Sequence, residues 1–81
     1  MVVSVTFHGP QRKVTQRDFM EISVPKGKRV TDVLHYVKTC YPDLLLDEKV
    51  TLVTVNDQVS SLDRTLSDDD KISFIPHIGG G

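Results

Sequence analysis

The residues of this chain whose type and spacing could do chemistry lie at its end, in the run Gly79-Gly80-Gly81. Glycine has no side chain and the widest backbone freedom, so three in succession add little to a packed domain and suit an extended segment that enters a narrow site. The candidate reactive group is therefore the terminal carboxylate of Gly81. A carboxylate is a poor acyl donor at neutral pH, so it would have to be activated before transfer.

Other chemically capable side chains do not combine into a site. Cys40 falls at the end of a predicted helix, where the helix dipole disfavours a thiolate, and we expect it at the edge of the core. His8 and His77 could approach each other across neighbouring strands, but two imidazoles are too few to hold a metal. The acidic run at 68–70 lacks the spacing of a calcium loop. We predict no metal site.

Length and composition limit the possible functions. A chain of 81 residues forms one domain with a small core. A net charge of −1 gives no general attraction to nucleic acid or to an anionic membrane. The sequence shows neither an apolar run of membrane-spanning length nor a signal peptide, so we expect a cytoplasmic protein that binds neither nucleic acid nor membrane.

Hydrophobic periodicity predicts five strands and one helix. Period-two alternation favours strands at residues 2–7, 19–24, 51–55 and 71–75 and a short strand at 59–62. The polar stretch 11–17 is interpreted as the tip of a long hairpin that joins the first two strands. Apolar residues at helical spacing predict a helix that begins near Val30 and ends near Cys40, because Pro42 disfavours helical geometry at the residue before it.

These elements predict an α+β fold with a four- to five-stranded mixed sheet. Only one apolar helical stripe is present, so one helix covers one face of the sheet. If the first and last strands are neighbours in the middle, the helix-facing residues form one core, which is the β-grasp arrangement. The expected core consists of Val3, Val5, Ile22, Val24, Val33, Leu34, Val37, Val53, Val55, Leu66, Ile72 and Phe74. The domain would span residues 1–75, and residues 76–81 would be a flexible tail that ends in Gly-Gly.

Four segments carry a family resemblance. They are V-P-x-G-x-x-V-x-D-V-L from residue 24, V-x-V-N from residue 53, L-x-D-D-D-x-I from residue 66 and F-I-P-H-I-G-G-G from residue 74. Along nearly the whole chain they resemble the ubiquitin-like sulfur carriers, the family that includes MoaD and ThiS. Gly79 takes the place of a small residue before the family's diglycine, and Pro76 is more similar to MoaD than to ThiS. The family usually has glycine at the position of Asp69.

The resemblance implies a chemistry for the tail. A MoeB- or ThiF-like adenylating enzyme of the ubiquitin-activating type would use ATP to activate Gly81, and sulfur transfer would then give a thiocarboxylate. The chain would bind no cofactor and catalyse nothing itself, although it could be the small subunit of a synthase with a sulfur-accepting subunit. Glycine at Gly80 would let the carboxylate enter a site that excludes water, and Pro76 would stiffen the base of the tail.

Apolar residues near the start of the tail are candidates for partner binding. Leu52, Ile75 and Ile78 are expected on the sheet face opposite the helix or at the root of the tail, with His77 beside them. A contiguous apolar patch there would suit docking of the activating enzyme and the acceptor.

Three functions stay open at the level of sequence. The chain could carry sulfur for cofactor biosynthesis of the molybdopterin type or for tRNA thiolation. It could instead be a ubiquitin-like modifier whose activated carboxyl is passed to lysines of target proteins. It could also be a non-covalent β-grasp interaction module in which the tail is incidental.

Overall fold

The alternating segments form strands and the apolar stripe forms a helix in the computed structural model, which describes residues 1–44, 46 and 52–75. The seven elements in chain order are β1 (Val2–Thr6), α1 (Pro10–Thr15), β2 (Phe19–Ser23), α2 (Val30–Cys40), β3 (Leu52–Val55), β4 (Gln58–Ser60) and β5 (Lys71–Ile75). The five predicted strands and the predicted helix are therefore confirmed, with bounds that agree to within two residues. The structure adds α1, which was not predicted.

The five strands form one mixed sheet in the order β2-β1-β5-β3-β4. The first and last strands lie side by side in the middle and run parallel, with Thr6 opposite Ser73. The remaining neighbours pair antiparallel. The predicted central pairing of the first and last strands is confirmed, and with it the ubiquitin-like β-grasp fold.

The core lies between α2 and one face of the sheet. The predicted core residues are buried except for Val24, which is half-buried and packs against the others. The core also contains four apolar residues that the predicted set omits, namely Phe7, Val30, Leu44 and Leu46.

Helix α2 begins and ends for local reasons. Its N-cap is Arg29, whose backbone N–H donates to the Asp32 carboxylate at 2.8 Å. The acidic side chain thereby satisfies a backbone donor and lies at the end of the helix where the dipole favours negative charge. The helix therefore begins at Val30, where the apolar pattern starts. Thr31, although threonine is a favoured N-cap residue, lies inside the helix.

The segment after β1 forms the short helix α1, so the interpretation of residues 11–17 as a hairpin tip is wrong. Gly9 precedes it with φ 52° and ψ −123°, a conformation that glycine adopts readily, and Pro10 opens the helix. The inward side of α1 is polar, because Gln11 and Thr15, one turn apart, are both buried. A helix with a polar buried side has no hydrophobic periodicity to detect.

The acidic run before β5 is a structured turn. Asp68 accepts a hydrogen bond from the Val2 N–H at 2.8 Å, and the buried Asp70 carboxylate accepts from Ser67 N–H and from the Asn56 side chain. Between them, Asp69 has φ 67°. This left-handed backbone gives a physical reason for the glycine that the resembling family carries there.

Replacing Asp69 by glycine should stabilise the fold. Glycine relieves the strain of the left-handed backbone, and its greater freedom in the unfolded chain cancels part of that benefit. We expect the free energy of unfolding to rise by about 1 kcal/mol and the melting temperature by about 5 °C. Asp68→Gly is the matched control, since it removes the acceptor for the Val2 N–H and should lower stability by about 1 kcal/mol. If thermal unfolding shows that the two variants lose the same stability, this account is contradicted.

Candidate functional site

The last strand leads to the candidate reactive end of the chain from the middle of the sheet. β5 ends at Ile75, and its side chains alternate between the core and the opposite face, here called the open face. Phe74 is 1% exposed and among the largest fully buried side chains. Full burial of such a side chain contributes about 2–3 kcal/mol, so the strand is firmly anchored one residue before its end.

Two of the predicted partner-binding residues are brought together on the open face. Leu52 lies directly opposite Ile75 across the β3–β5 pair. Leu52 is 46% exposed and Ile75 is half-buried, so the pair presents apolar surface to solvent at the root of the tail. Both residues thus lie on the face opposite the helix, one of the two positions predicted for them, and their role in partner binding stays a prediction.

A third apolar side chain, which the sequence reasoning missed, extends this pair. Val59 lies opposite Thr54, which places it on the same face of the sheet as Leu52 and diagonal to it. It is 72% exposed. We call Leu52, Val59 and Ile75 the apolar patch. Val59 was assigned to a strand but not to a face, because a three-residue strand is too short for its alternation to be recognised.

The other predicted site residues lie outside the described part of the chain. They are Pro76, His77, Ile78, Gly79, Gly80 and Gly81. The division into a domain at 1–75 and a tail at 76–81 stays a prediction.

On the β1 side of β5, a polar cluster surrounds the end of the strand. The Gln11 Nε2 donates to the Phe74 carbonyl at 2.6 Å, and its Oε1 accepts from the His8 N–H at 2.9 Å. The His8 Nε2 lies 3.0 Å from the Ser73 Oγ. Sequence reasoning missed Gln11 because a single buried glutamine in a polar run gives no hydropathy signal. The Gly9-Pro10 pair, a helix-start signal, was the available clue.

Cys40 is not part of this cluster and is exposed. Its prediction as a core-edge residue is wrong because Tyr41 takes that position, with its ring edge-on to Phe7 at a centroid distance of 5.9 Å. Tyr36 lies on the surface of the same helix and forms a side-chain hydrogen bond with Cys40. This hydrogen bond and the charge interaction between Tyr36 and Cys40 raise the pKa of Tyr36 above its usual value. This pair lies on α2, which covers the opposite face of the sheet from the apolar patch.

In residues 1–44, 46 and 52–75, no group of three or more His, Cys, Asp or Glu side chains could hold a metal ion. No helix of this part of the chain is long and apolar enough to cross a membrane.

Comparison with known proteins gives the family. The model of the ThiS family matches residues 5–81, which includes all three terminal glycines. The chain belongs to the ThiS family. The predicted resemblance to the ubiquitin-like sulfur carriers is thereby confirmed. A search of curated proteins finds no significant match.

Solved structures of similar proteins support the same assignment. A protein described as subunit 1 of a molybdopterin-converting factor from Pyrococcus furiosus is 26% identical, with 93% of this chain and 95% of that chain covered and a TM-score of 0.79. Subunit 1 of the Helicobacter pylori factor, in complex with its subunit 2, is 27% identical over 100% of both chains with a TM-score of 0.61. Small archaeal modifier protein 1 from Methanosarcina acetivorans shares the fold at 24% identity, with 99% and 96% covered and a TM-score of 0.78.

We expect a charge in the apolar patch to weaken docking of the activating enzyme that the family resemblance implies. Leu52→Asp places a carboxylate in the patch and should reduce the rate of activation at limiting concentration by about tenfold, the effect of losing about 1.4 kcal/mol of binding. Leu52 is already half exposed, so the fold should be retained.

The matched control is Tyr36→Asp, because Tyr36 is 49% exposed and lies on α2. Its activation rate should stay near that of the unaltered chain. Equal losses in the two variants, or no loss in Leu52→Asp, would show that the apolar patch does not contact the enzyme.

Proposed function

We propose that this chain is a sulfur carrier whose Gly81 carboxylate is adenylated and then converted to a thiocarboxylate. The observation that carries the proposal is the match to the ThiS family over residues 5–81, which includes the diglycine Gly80-Gly81. The same match supports a carrier and not an enzyme, since the reacting group is part of the chain that is consumed and regenerated. We place this function in the cytoplasm, where ATP is available to the activating enzyme.

The chemistry assigns little to the side chains of this protein. A carboxylate oxygen of Gly81 attacks the α-phosphorus of ATP, and pyrophosphate leaves. A hydrosulfide ion then attacks the acyl carbon, the bond from that carbon to the AMP oxygen breaks, and AMP leaves, so that the carbon retains one oxygen and one sulfur as the thiocarboxylate. The adenylating enzyme supplies the nucleotide site, and the carrier supplies an end that is narrow enough to reach it, with no side chain at Gly80 or Gly81.

Two partners follow from this proposal. The first is a MoeB- or ThiF-like adenylating enzyme. The second is a sulfur-accepting synthase subunit, and the Helicobacter pylori relative, whose structure is a complex of subunits 1 and 2, supports a partner of this kind. The apolar patch formed by Leu52, Val59 and Ile75 is the surface that we assign to docking, because it lies on the open face at the end of β5.

The acceptor is proposed to belong to molybdopterin-type biosynthesis. Pro76 supports it, since that residue is common in MoaD and usually missing from ThiS. Similarity to molybdopterin-converting factor subunits at 26% and 27% identity favours the same pathway.

The mass of the chain purified from its own cells tests this function. We expect a fraction of the protein to have one carboxylate oxygen replaced by sulfur and, when treated with an alkylating reagent, to gain one alkyl group on that sulfur in addition to the one on Cys40. A chain that lacks Gly81 serves as the control and should show no such species.

Two other results would contradict the sulfur-carrier proposal. Target proteins whose lysines carry a Gly-Gly remnant, without a thiocarboxylate on the chain, would indicate a ubiquitin-like modifier. Unchanged cellular function after deletion of Gly81 would indicate a non-covalent interaction module.

A further inference from the structure

The regular pairing of β1 with β5 is interrupted at the step that precedes the tail. The Ser4 N–H donates to the Asp70 carbonyl at 3.0 Å. Each step of a parallel ladder advances both strands by two residues, so the N–H of His8 would meet the Phe74 carbonyl two steps later. The His8 N–H donates to the Gln11 Oε1 instead, at 2.9 Å.

The side-chain amide of Gln11 is inserted into this step of the ladder. Its Oε1 accepts from His8 while its Nε2 donates to the Phe74 carbonyl at 2.6 Å. The two partners fix the orientation of the amide, because one offers only a donor and the other only an acceptor. Gln11 is 5% exposed, so both bonds are shielded from water. The inserted amide therefore separates the two backbones without leaving either group unpaired.

This insertion acts at the last peptide before the end of β5. The Phe74 carbonyl belongs to the peptide that links Phe74 to Ile75, and on its other side Ile75 is paired with Leu52. The peptide is thus held from both neighbouring strands, by a backbone pair on the β3 side and by a side chain on the β1 side. The direction of the chain at Ile75 depends on both.

We propose that Gln11 is a positioning residue that sets the direction in which the tail leaves the sheet and so presents Gly81 to the activating enzyme. The consequence for activation rests on the proposed function. Without the amide, His8 and Phe74 either lose their partners or join directly, which would close the strands together and turn the exit towards β1. Either change lowers the fraction of molecules with a correctly directed tail.

The kinetic test compares three variants in ATP–pyrophosphate exchange by the adenylating enzyme. Gln11→Leu removes both hydrogen bonds, whereas Gln11→Glu, assayed at a pH at which the new carboxyl is ionised, keeps the acceptor for His8 and removes the donor to Phe74. Apparent affinity scales with the competent fraction, so a fall of that fraction to about one tenth raises KM about tenfold with kcat nearly unchanged. Thr15→Val is the matched control, since Thr15 is also buried in α1 and, among the described residues, its hydroxyl forms hydrogen bonds with the Arg17 backbone and not with β5.

A second readout does not depend on any enzyme. Cys40 is the single cysteine of the sequence and is exposed, so a nitroxide attached to it reports the distance to each tail amide through paramagnetic relaxation. We expect the relaxation of the amides of residues 79–81 to change in both Gln11 variants and to stay unchanged in Thr15→Val. Amides of β3 and β5 serve as internal references for an intact fold.

The outcomes separate the two proposals. If both Gln11 variants have the tail relaxation and the KM of the unaltered chain, the proposed role of Gln11 is overturned and the sulfur-carrier proposal stands. Equal kinetic losses in the Gln11 variants and in Thr15→Val would also overturn the role of Gln11, because they would indicate that α1 as a whole had been disrupted. Changed tail relaxation in a chain that no adenylating enzyme activates would support Gln11 as the positioning residue and contradict the proposed function.

Discussion

The parallel pairing of β1 with β5 is the interaction on which the rest of this structure depends. It places the last strand in the middle of the sheet, with β1 on one side and β3 on the other. Ile72 and Phe74 are thereby buried under α2 at 0% and 1% exposure, and the last strand is held by a neighbouring strand on each side. An end that must be inserted into a partner gains from such a base, since any freedom there would be multiplied along the tail.

Both sides of β5 contribute to this base in different ways. On the β3 side the pairing of Leu52 with Ile75 continues to the end of the strand and leaves apolar surface exposed. On the β1 side a buried side-chain amide replaces backbone pairing at Phe74. In our proposals the open face offers a partner an apolar contact, while the hydrogen bonds of Gln11 on the β1 side set the direction of the chain at Ile75.

The elements that could be predicted from the sequence are those whose buried residues recur at a regular spacing along the chain. The bounds of β5 and α2 and most of the core follow from apolar spacing, because a face that meets the core must repeat at 2 or 3.6 residues. Sequence reasoning failed at α1, whose inward residues Gln11 and Thr15 are polar, since hydrogen bonds to distant backbone groups leave no pattern along the chain. Leu52 and Ile75 could be assigned to one face by alternation, whereas Val59 required the register of the β3–β4 pair.

The central claim is that the fold holds a carboxylate at Gly81 for activation. The most direct measurement is ATP–pyrophosphate exchange by the purified adenylating enzyme with the unaltered chain and with a chain that lacks Gly81. We expect exchange that depends on the unaltered chain and falls to background when Gly81 is removed, with the same melting temperature for both proteins. Equal exchange with the two chains would contradict the claim.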